Sequence, residues 1–432
     1  MYQWKCSRCG ATYAPDEVRY ACPRCGEAAF LDMQPDYRAI AAAWGPADLA
    51  GDPRRSIWRY GPLLPLQGDR RPATSDQRPT RGETITGSPG HLVTLSSVGW
   101  TPLYHAARLG ESLGLAQLYI KDDGRNPTGS FKDRASAVVV AKAQELGERT
   151  VATASSGNAA AALAGMGAAA GLPCIIFVPA SAPEAKVAQL LIYGAEVLLV
   201  EGSYDDASDL CLAACQQWGW YCRNTGYNPH TTEGKKTCAL EIVEQLGWQT
   251  PDTVVVSVGD GNIITGLHRG FQDALALGWI ARMPRLIGVQ AALSPAVYNA
   301  WRAGAPDVAP DRAETLADSI SVGLPRDGFR ALRAMRETGG ACVAVEDEAI
   351  LQAIGVLARG TGIFTEPAGA AAFAGLFQLV ERGAIRPDER VVVVNTGNGL
   401  KDIRAAARVA GAPRHVLPSI DAVRAALDKV TS

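Results

Sequence analysis

The chain of 432 residues carries almost no net charge: 42 Lys and Arg stand against 44 Asp and Glu, a formal charge of −2 with neutral histidines. That balance offers no broad basic field for nucleic acid and no acidic tail, so small-molecule partners are expected and no nucleic acid. The N-terminus lacks the basic stretch and apolar core of a secretory leader. Long apolar runs are missing as well. The longest uncharged stretch, residues 150–183, is broken by Ser155, Ser156, Gly157, Asn158 and Pro173. It reads as strand, polar loop, Ala-rich helix and second strand, and no membrane association is expected. Ten cysteines are dilute over this length, which argues against a secreted disulfide framework and for a reducing cytoplasm.

What is present describes a globular protein. The chain is 47% hydrophobic with 45 glycines, a composition suited to tight turns and close helix-on-sheet packing rather than to disorder, collagen or coiled coil. The length suggests two or three domains. The first unit, residues 1–31, holds Cys6-Ser-Arg-Cys9, twelve intervening residues, and Cys22-Pro-Arg-Cys25. Paired CxxC knuckles bring four thiolates to one tetrahedral zinc, with no open position for a substrate, so the site reads as structural. A unit this short cannot bury a sufficient core, so metal ligation has to supply folding energy. Cys174, Cys211, Cys215, Cys222, Cys238 and Cys342 do not repeat the spacing and read mostly as small core residues.

Residues 32–100 are rich in Pro, Arg and Gly, above all at 68–90, and read as an arm or wrapping segment. Beyond Thr101 apolar strand runs alternate with Ala-rich helical stretches. Strands are predicted at 118–121, 151–154, 174–179, 196–200, 253–257, 285–290 and 391–394. Helices are predicted at 133–146, 159–170, 184–193, 204–218, 232–246 and 347–359. The alternation implies an α/β fold of βαβ units on mainly parallel sheets, with ligands at the strand carboxyl ends.

The polar motifs fall in those loops. Lys132, in Asn126-Pro-Thr-Gly-Ser-Phe-Lys-Asp-Arg134, lies where a helix begins, a position that disfavours cations. It is either a snorkelling surface lysine or an amine neutralised for Schiff-base chemistry. Ser155, Ser156, Gly157 and Asn158 offer amides and hydroxyls to a carboxylate or phosphate, or else form an ordinary N-cap. Residues 257–266 place Gly259, Asp260, Gly261, Asn262 and Ile263 after an apolar strand. The pattern is neither a dinucleotide fingerprint nor a Walker loop, so a compact phosphate fits better than a nucleotide. Residues 394–402, with Thr396, end the last strong strand and on their own read as a plain turn.

A lysine able to bear a Schiff base, a phosphate cup and a carboxylate receptor are the parts of a pyridoxal phosphate site for amino acids. The chain resembles the threonine synthases, within the fold-type II pyridoxal phosphate enzymes that also include threonine dehydratase and tryptophan synthase β. Five collinear motifs carry the likeness: 126–134, Ser155-Ser-Gly-Asn158, Asn228-Pro-His230 with Glu233-Gly-Lys-Lys-Thr237, Gly362-Ile-Phe-Thr-Glu-Pro367, and Thr396-Gly-Asn-Gly-Leu-Lys-Asp402. The zinc-ribbon-like start also resembles that of a subset of the family.

The resemblance implies two α/β domains with the cofactor in the cleft. The larger would be 101–130 with 236–432, and the smaller, substrate-binding one 131–235. Lys132 would bear the cofactor, Asn158 its phenolic oxygen, the 259–263 segment its phosphate and Thr396 its pyridine nitrogen. Ser155, Ser156 and Gly157 would take the substrate carboxylate, and a homodimer is implied. The implied reaction expels phosphate from O-phosphohomoserine and adds water to give L-threonine.

Thr231, kept as a substrate-binding candidate, stands where the family usually has a phosphate-binding arginine, and Asn398 where it has a histidine. Lys186, in a segment like the family's phosphate-contacting one, could still bind an anion, as could His230, Lys235 and Lys236. For each of these lysines a solvated helix face is the plainer reading. Three functions therefore stay open at this point. The first is threonine synthase. The second is a paralogue performing elimination or replacement on another amino acid, such as O-phosphoserine or threonine. The third is a zinc-ribbon binding protein with a dead enzyme.

Overall fold

The protein is described by a computed structural model covering residues 2–26, 29–66, 93–182 and 184–431. The Pro/Arg/Gly-rich stretch at 68–90 lies outside the described residues. Among the described residues thirteen strands, β1 to β13, run in chain order as Tyr2–Cys6, Thr12–Tyr13, Leu31–Pro35, Leu103–His105, Gln117–Asp122, Val151–Ala154, Cys174–Pro179, Glu196–Val200, Tyr221–Cys222, Thr253–Ser257, Arg285–Ala291, Ala341–Val345 and Arg390–Asn395. They form three sheets, ordered β2-β1-β3, β12-β11-β10-β13-β5-β4 and β8-β7-β6-β9.

The two larger sheets are parallel apart from β4, which runs antiparallel to β5. Val254–Val256 of β10 and Val391–Val394 of β13 are fully buried, as expected of central strands covered by helices on both faces. The chain's last strand inserts between β10 and β5. The loops leaving three adjacent parallel strands therefore open on one edge of the large sheet, where ligands of open α/β sheets bind.

The helices over these sheets are built from small residues. Asn158–Ala170 is largely alanine and glycine, and the first half of Pro367–Glu381 is rich in them, which lets a helix lie close to a sheet or to another helix. At Gly234 an added Cβ would come within 2.1 Å of the Arg134 carbonyl oxygen. The helices His230–Lys235 and Lys132–Glu145 thus cross with backbones nearly in contact. The predicted helix over 232–246 divides into His230–Lys235 and Thr237–Gln245.

The N-terminal sheet continues to Pro35, past residue 31, because β3 pairs along the whole of β1 from Cys6↔Leu31 to Tyr2↔Pro35. After β3 comes a wrapping segment with structure of its own: helices Tyr37–Ala43 and Pro46–Gly51 and a 3₁₀ stretch Ile57–Leu63. Ile57, Tyr60 and Leu63 are fully buried, and the Tyr60 hydroxyl donates to Glu244 at 2.6 Å. The described part of the long uncharged stretch, residues 150–182, holds β6, the helix Asn158–Ala170 and β7. Among the described residues no helix is long and apolar enough to cross a membrane.

Candidate active site

Lys132 opens its helix from a loop locked onto the turn after β13. The Phe131 amide donates to the Thr396 carbonyl at 2.9 Å, the Asn398 amide to the Gly129 carbonyl at 2.9 Å, and Ser130 bridges to Gly397. Lys132 and Thr396 are therefore brought together from positions 264 residues apart in the chain. Beneath them lies a buried ionic network. Arg134 binds Asp123 at 2.6 Å and Glu241 at 2.5 Å, and Lys121 binds the other Glu241 oxygen at 2.7 Å. The network ties the end of β5, the Lys132 helix and the helix Thr237–Gln245 into one body. Removing one member of such a network would strand the remaining buried charges, at a cost of about 3–5 kcal/mol.

The Lys132 side chain stays partly open, yet burial pulls its ammonium down to about 8, with Glu366 opposing and Arg223 reinforcing the shift. This amine is poised near neutrality, as a nucleophile and proton carrier needs to be. Glu366 is pushed up to about 6 by burial and accepts a 2.7 Å hydrogen bond from the Asn158 side-chain amide. Asn158 also reaches Ser319 Oγ at 3.3 Å. Ser155, Ser156 and Gly157 are half-buried in the loop between β6 and the helix that Asn158 begins. The Gly157 amide donates to Ser155 Oγ at 3.1 Å.

The segment 259–263 follows β10 and leads into the helix Asn262–Ala276, whose first amides have no partner within the helix. Ser257 Oγ, buried just before it, has no hydrogen-bond partner among the described groups. Lys235 donates to Asn262 Oδ1, and its ammonium is driven well below the ordinary lysine value by burial and then by Lys132 and Arg223. Asp260 is raised to about 6 by burial. Free helix amides, an orphan hydroxyl and nearby cations suit a phosphate group, and Lys132 suits a carbonyl-bearing cofactor, so the residues present fit pyridoxal phosphate.

Gly261 has a positive φ of +93°, and a Cβ there would lie 2.6 Å from the Asp327 carbonyl oxygen. At Gly259 a Cβ would meet Ile320 Cα at 2.8 Å. These glycines are required by protein packed against the loop.

A cavity of about 450 Å³ adjoins the site, with Ser156, Asn158, Lys186, Asp318, Glu366 and Lys401 on its walls. Lys186 is ion-paired with Asp318, and Lys401 donates to Gln189 Oε1 at 3.3 Å. Thr231 departs from the sequence expectation. It is fully buried, with its hydroxyl donated to the Asn228 carbonyl at 2.8 Å, because the helix His230–Lys235 is wedged into the interior. For the same reason Lys235 and Lys236 occupy no solvated face, and Lys236 pairs with Glu233 at 2.6 Å and Asp273 at 2.8 Å. His230 is held neutral, lowered to about 3 by burial, so it adds no charge for an anion.

Sequence reasoning gave no role to Arg223, Glu366, Asp318, Ser319 and Lys401. Arg223 leaves β9 fully buried and donates to Thr225 at 2.7 Å. The one legible signal was Glu366 immediately before Pro367, the cap position of a helix.

At the N-terminus the sulfurs of Cys6, Cys9, Cys22 and Cys25 all lie within 4.8 Å of one another. The Cys9–Cys22 separation is 3.8 Å, and a tetrahedron with 2.3 Å zinc–sulfur bonds has an edge of about 3.8 Å. The donor set fits one zinc ion.

Residues 94–397 match the profile of the pyridoxal-phosphate dependent enzymes, and the chain belongs to that family. It is 41% identical over 429 residues to the threonine synthase of Methanosarcina acetivorans, covering 99% of both chains. To that of Methanocaldococcus jannaschii it is 39% identical over 413 residues, 95% of both. Within the family it is a threonine synthase-type lyase, and the paralogue and dead-enzyme readings are not favoured.

Solved structures agree on the fold. An O-ureido-L-serine synthase superposes with a TM-score of 0.64 at 18% identity, over 77% of this chain and 98% of that one. Threonine deaminase isoform 2 from Solanum lycopersicum gives 0.60 at 23%, over 72% and 88%. The fold-type II architecture expected from the motifs is the one found.

Proposed function

We propose that the chain converts O-phosphohomoserine and water to L-threonine and inorganic phosphate, with pyridoxal phosphate held by Lys132, Asn158, the 259–263 segment and Thr396. The observation that carries this reading is the partly open, near-neutral Lys132 amine set between a phosphate cup and a carboxylate receptor, in a chain alike over its full length to threonine synthases. When bound, the cofactor supplies an electron sink for loss of protons next to the amino group.

The chain's own residues do the rest. Lys132 takes the Cα proton and returns protons as the leaving group departs and water adds at Cβ. The Ser155, Ser156 and Gly157 loop fixes the carboxylate. Thr396, a neutral hydroxyl at the pyridine nitrogen, leaves the sink weaker than an aspartate would, which favours elimination over transamination. Lys186 and Lys401, both on the cavity wall, receive the γ-phosphate. Thr231 is left out of this set because its hydroxyl is already committed.

The smaller unit, 131–235, closes over the larger, 101–130 with 236–432, to exclude water during proton abstraction. The exposed Lys186–Asp318 pair, which joins the two across the cavity, supports that division. One structural zinc on Cys6, Cys9, Cys22 and Cys25 belongs to the same proposal, as do a homodimer and a cytoplasmic site of action, which rest on the family resemblance and the cysteine usage. The deciding experiment measures phosphate and threonine together from O-phosphohomoserine. Equal amounts are expected. Phosphate without threonine, or no turnover by cofactor-loaded protein, would overturn the assignment.

A further inference from the structure

The N-terminal cysteine unit takes no part in the chemistry above, yet it is not a detached ornament. It grips both larger units. Arg19 pairs with Glu148 at 2.5 Å, and the Tyr20 hydroxyl accepts from the Cys222 amide at 3.0 Å on the smaller sheet. Trp4 also stands edge-on to His230 of the smaller unit, at 5.3 Å between ring centroids, while toward the large unit Arg8 pairs with Asp307.

Its deepest contact is made by Asp32, on β3, whose register neighbour is Lys5, one residue before the zinc-spaced Cys6. Asp32 is buried and accepts from Arg330 at 2.6 Å and from Arg333 at 3.1 Å. Arg330 also stacks over Phe30, 4.3 Å from the ring centroid.

From Arg330 the contacts run to the cup without a break. Its guanidinium holds both oxygens of Asp327, at 2.6 and 2.8 Å, and reaches Thr232 Oγ1 at 3.1 Å. Asp327 in turn accepts from the Asn262 side-chain amide at 2.7 Å, and its own backbone amide donates to the Asp260 carbonyl at 3.0 Å. Asn262 is the first residue of the helix that supplies the cup. Its other side-chain contacts are Thr232 Oγ1 at 2.9 Å and Lys235. The Arg326 amide clamps Asp260 from the same segment at 2.7 Å. The loop that must present amides to a phosphate is thus buttressed from behind by residues 326–330, and those residues are seated on β3.

We propose that Asp32, Arg330 and Asp327 are positioning residues that relay the folded state of the cysteine unit to Asn262 and the 259–263 cup, so that the N-terminal unit governs cofactor retention. This rests on the cofactor-phosphate reading of the cup. It gives the cysteine unit a role at the site without contact with substrate.

The test uses full-length apoprotein and titrates pyridoxal phosphate, and separately pyridoxal, by absorbance, with hydrogen exchange read at the amides of 259–263. Asp32→Asn should weaken pyridoxal phosphate binding about tenfold and speed exchange in the cup, while leaving pyridoxal binding unchanged. Asp307→Asn, which breaks an outer contact of the same unit, should leave both constants as in the parent. If Asp32→Asn does not fold, Arg333→Ala removes the outer guanidinium alone and should give a smaller shift of the same kind. A folded Asp32→Asn protein with parental affinity and parental cup exchange overturns the proposal, as does an Arg333→Ala protein without any shift. A parent that binds pyridoxal as tightly as its phosphate would instead overturn the reading of the cup, which keeps the two failures apart.

Discussion

Lys132 shows how much of the site's chemistry one environment decides. The sequence marked it as a cation at a helix start, where the helix dipole is unfavourable, but could not choose between a snorkelling side chain and a nucleophile. Packing chooses, because burial and Arg223 disfavour the ammonium and bring it to about 8. The neutral amine is the form that attacks a carbonyl, and its fraction rises as pH passes the amine's own value. Cofactor uptake by apoprotein should therefore climb with a midpoint near pH 8, whereas an unburied lysine would give about 10.4. Uptake rates measured across pH check this, and a midpoint near the unburied value would count against a buried amine. Arg223 was not legible because nothing local distinguishes a surface charge from one drawn inward by distant strands. Nor could spacing show that the Thr231 hydroxyl is turned to the Asn228 carbonyl by the helix around it.

At the scale of elements the sequence was far more transparent. The seven predicted strands are all present, with ends shifted by no more than one residue, because buried parallel strands read as continuous β-branched runs bounded by turns. Six described strands escaped: β2, β4 and β9 have only two or three residues and no periodicity to display, and β1, β3 and β12 have five each. The crossing of His230–Lys235 over Lys132–Glu145 was also invisible, since a lone glycine does not reveal what it faces. Its consequence can be measured. Gly234→Ala would press a methyl against the Arg134 carbonyl and is expected to cost about 1–3 kcal/mol of stability. The same push would displace Lys132 and lower activity. Denaturant unfolding alongside turnover tests this, and a neutral substitution would mean the two helices can part freely.

For the whole molecule, the near-zero net charge hides strong local fields. Cations and carboxylates are drawn into the interior in opposed sets, such as Arg134 and Lys121 with Asp123 and Glu241, and the proposed phosphate cup draws largely on helix amides. Composition registers none of this, whereas the cysteine knuckles were legible because four ligands at fixed spacing carry their own geometry. Metal analysis should find one zinc per chain in the parent. In Cys22→Ser zinc should be lost and the N-terminal unit loosened, read as faster hydrogen exchange across β1 and β3. Retained zinc or unchanged exchange would contradict a site built from four thiolates.

The contact between Asp32 and Arg330 spans 298 positions of the chain, and that span is also an interval of time. At about 5–20 residues per second of synthesis, Asp32 is made about 15–60 s before the arginine that will neutralise it. Until His230, whose ring packs against Trp4, has been made, Trp4 and Met33, buried in the finished protein, have only their own three short strands to shelter them. Metal capture by the nascent segment is the event that can cover them before docking is available. Zinc limitation during synthesis is therefore expected to lower the fraction of chains able to bind cofactor, measured on protein expressed with and without added zinc.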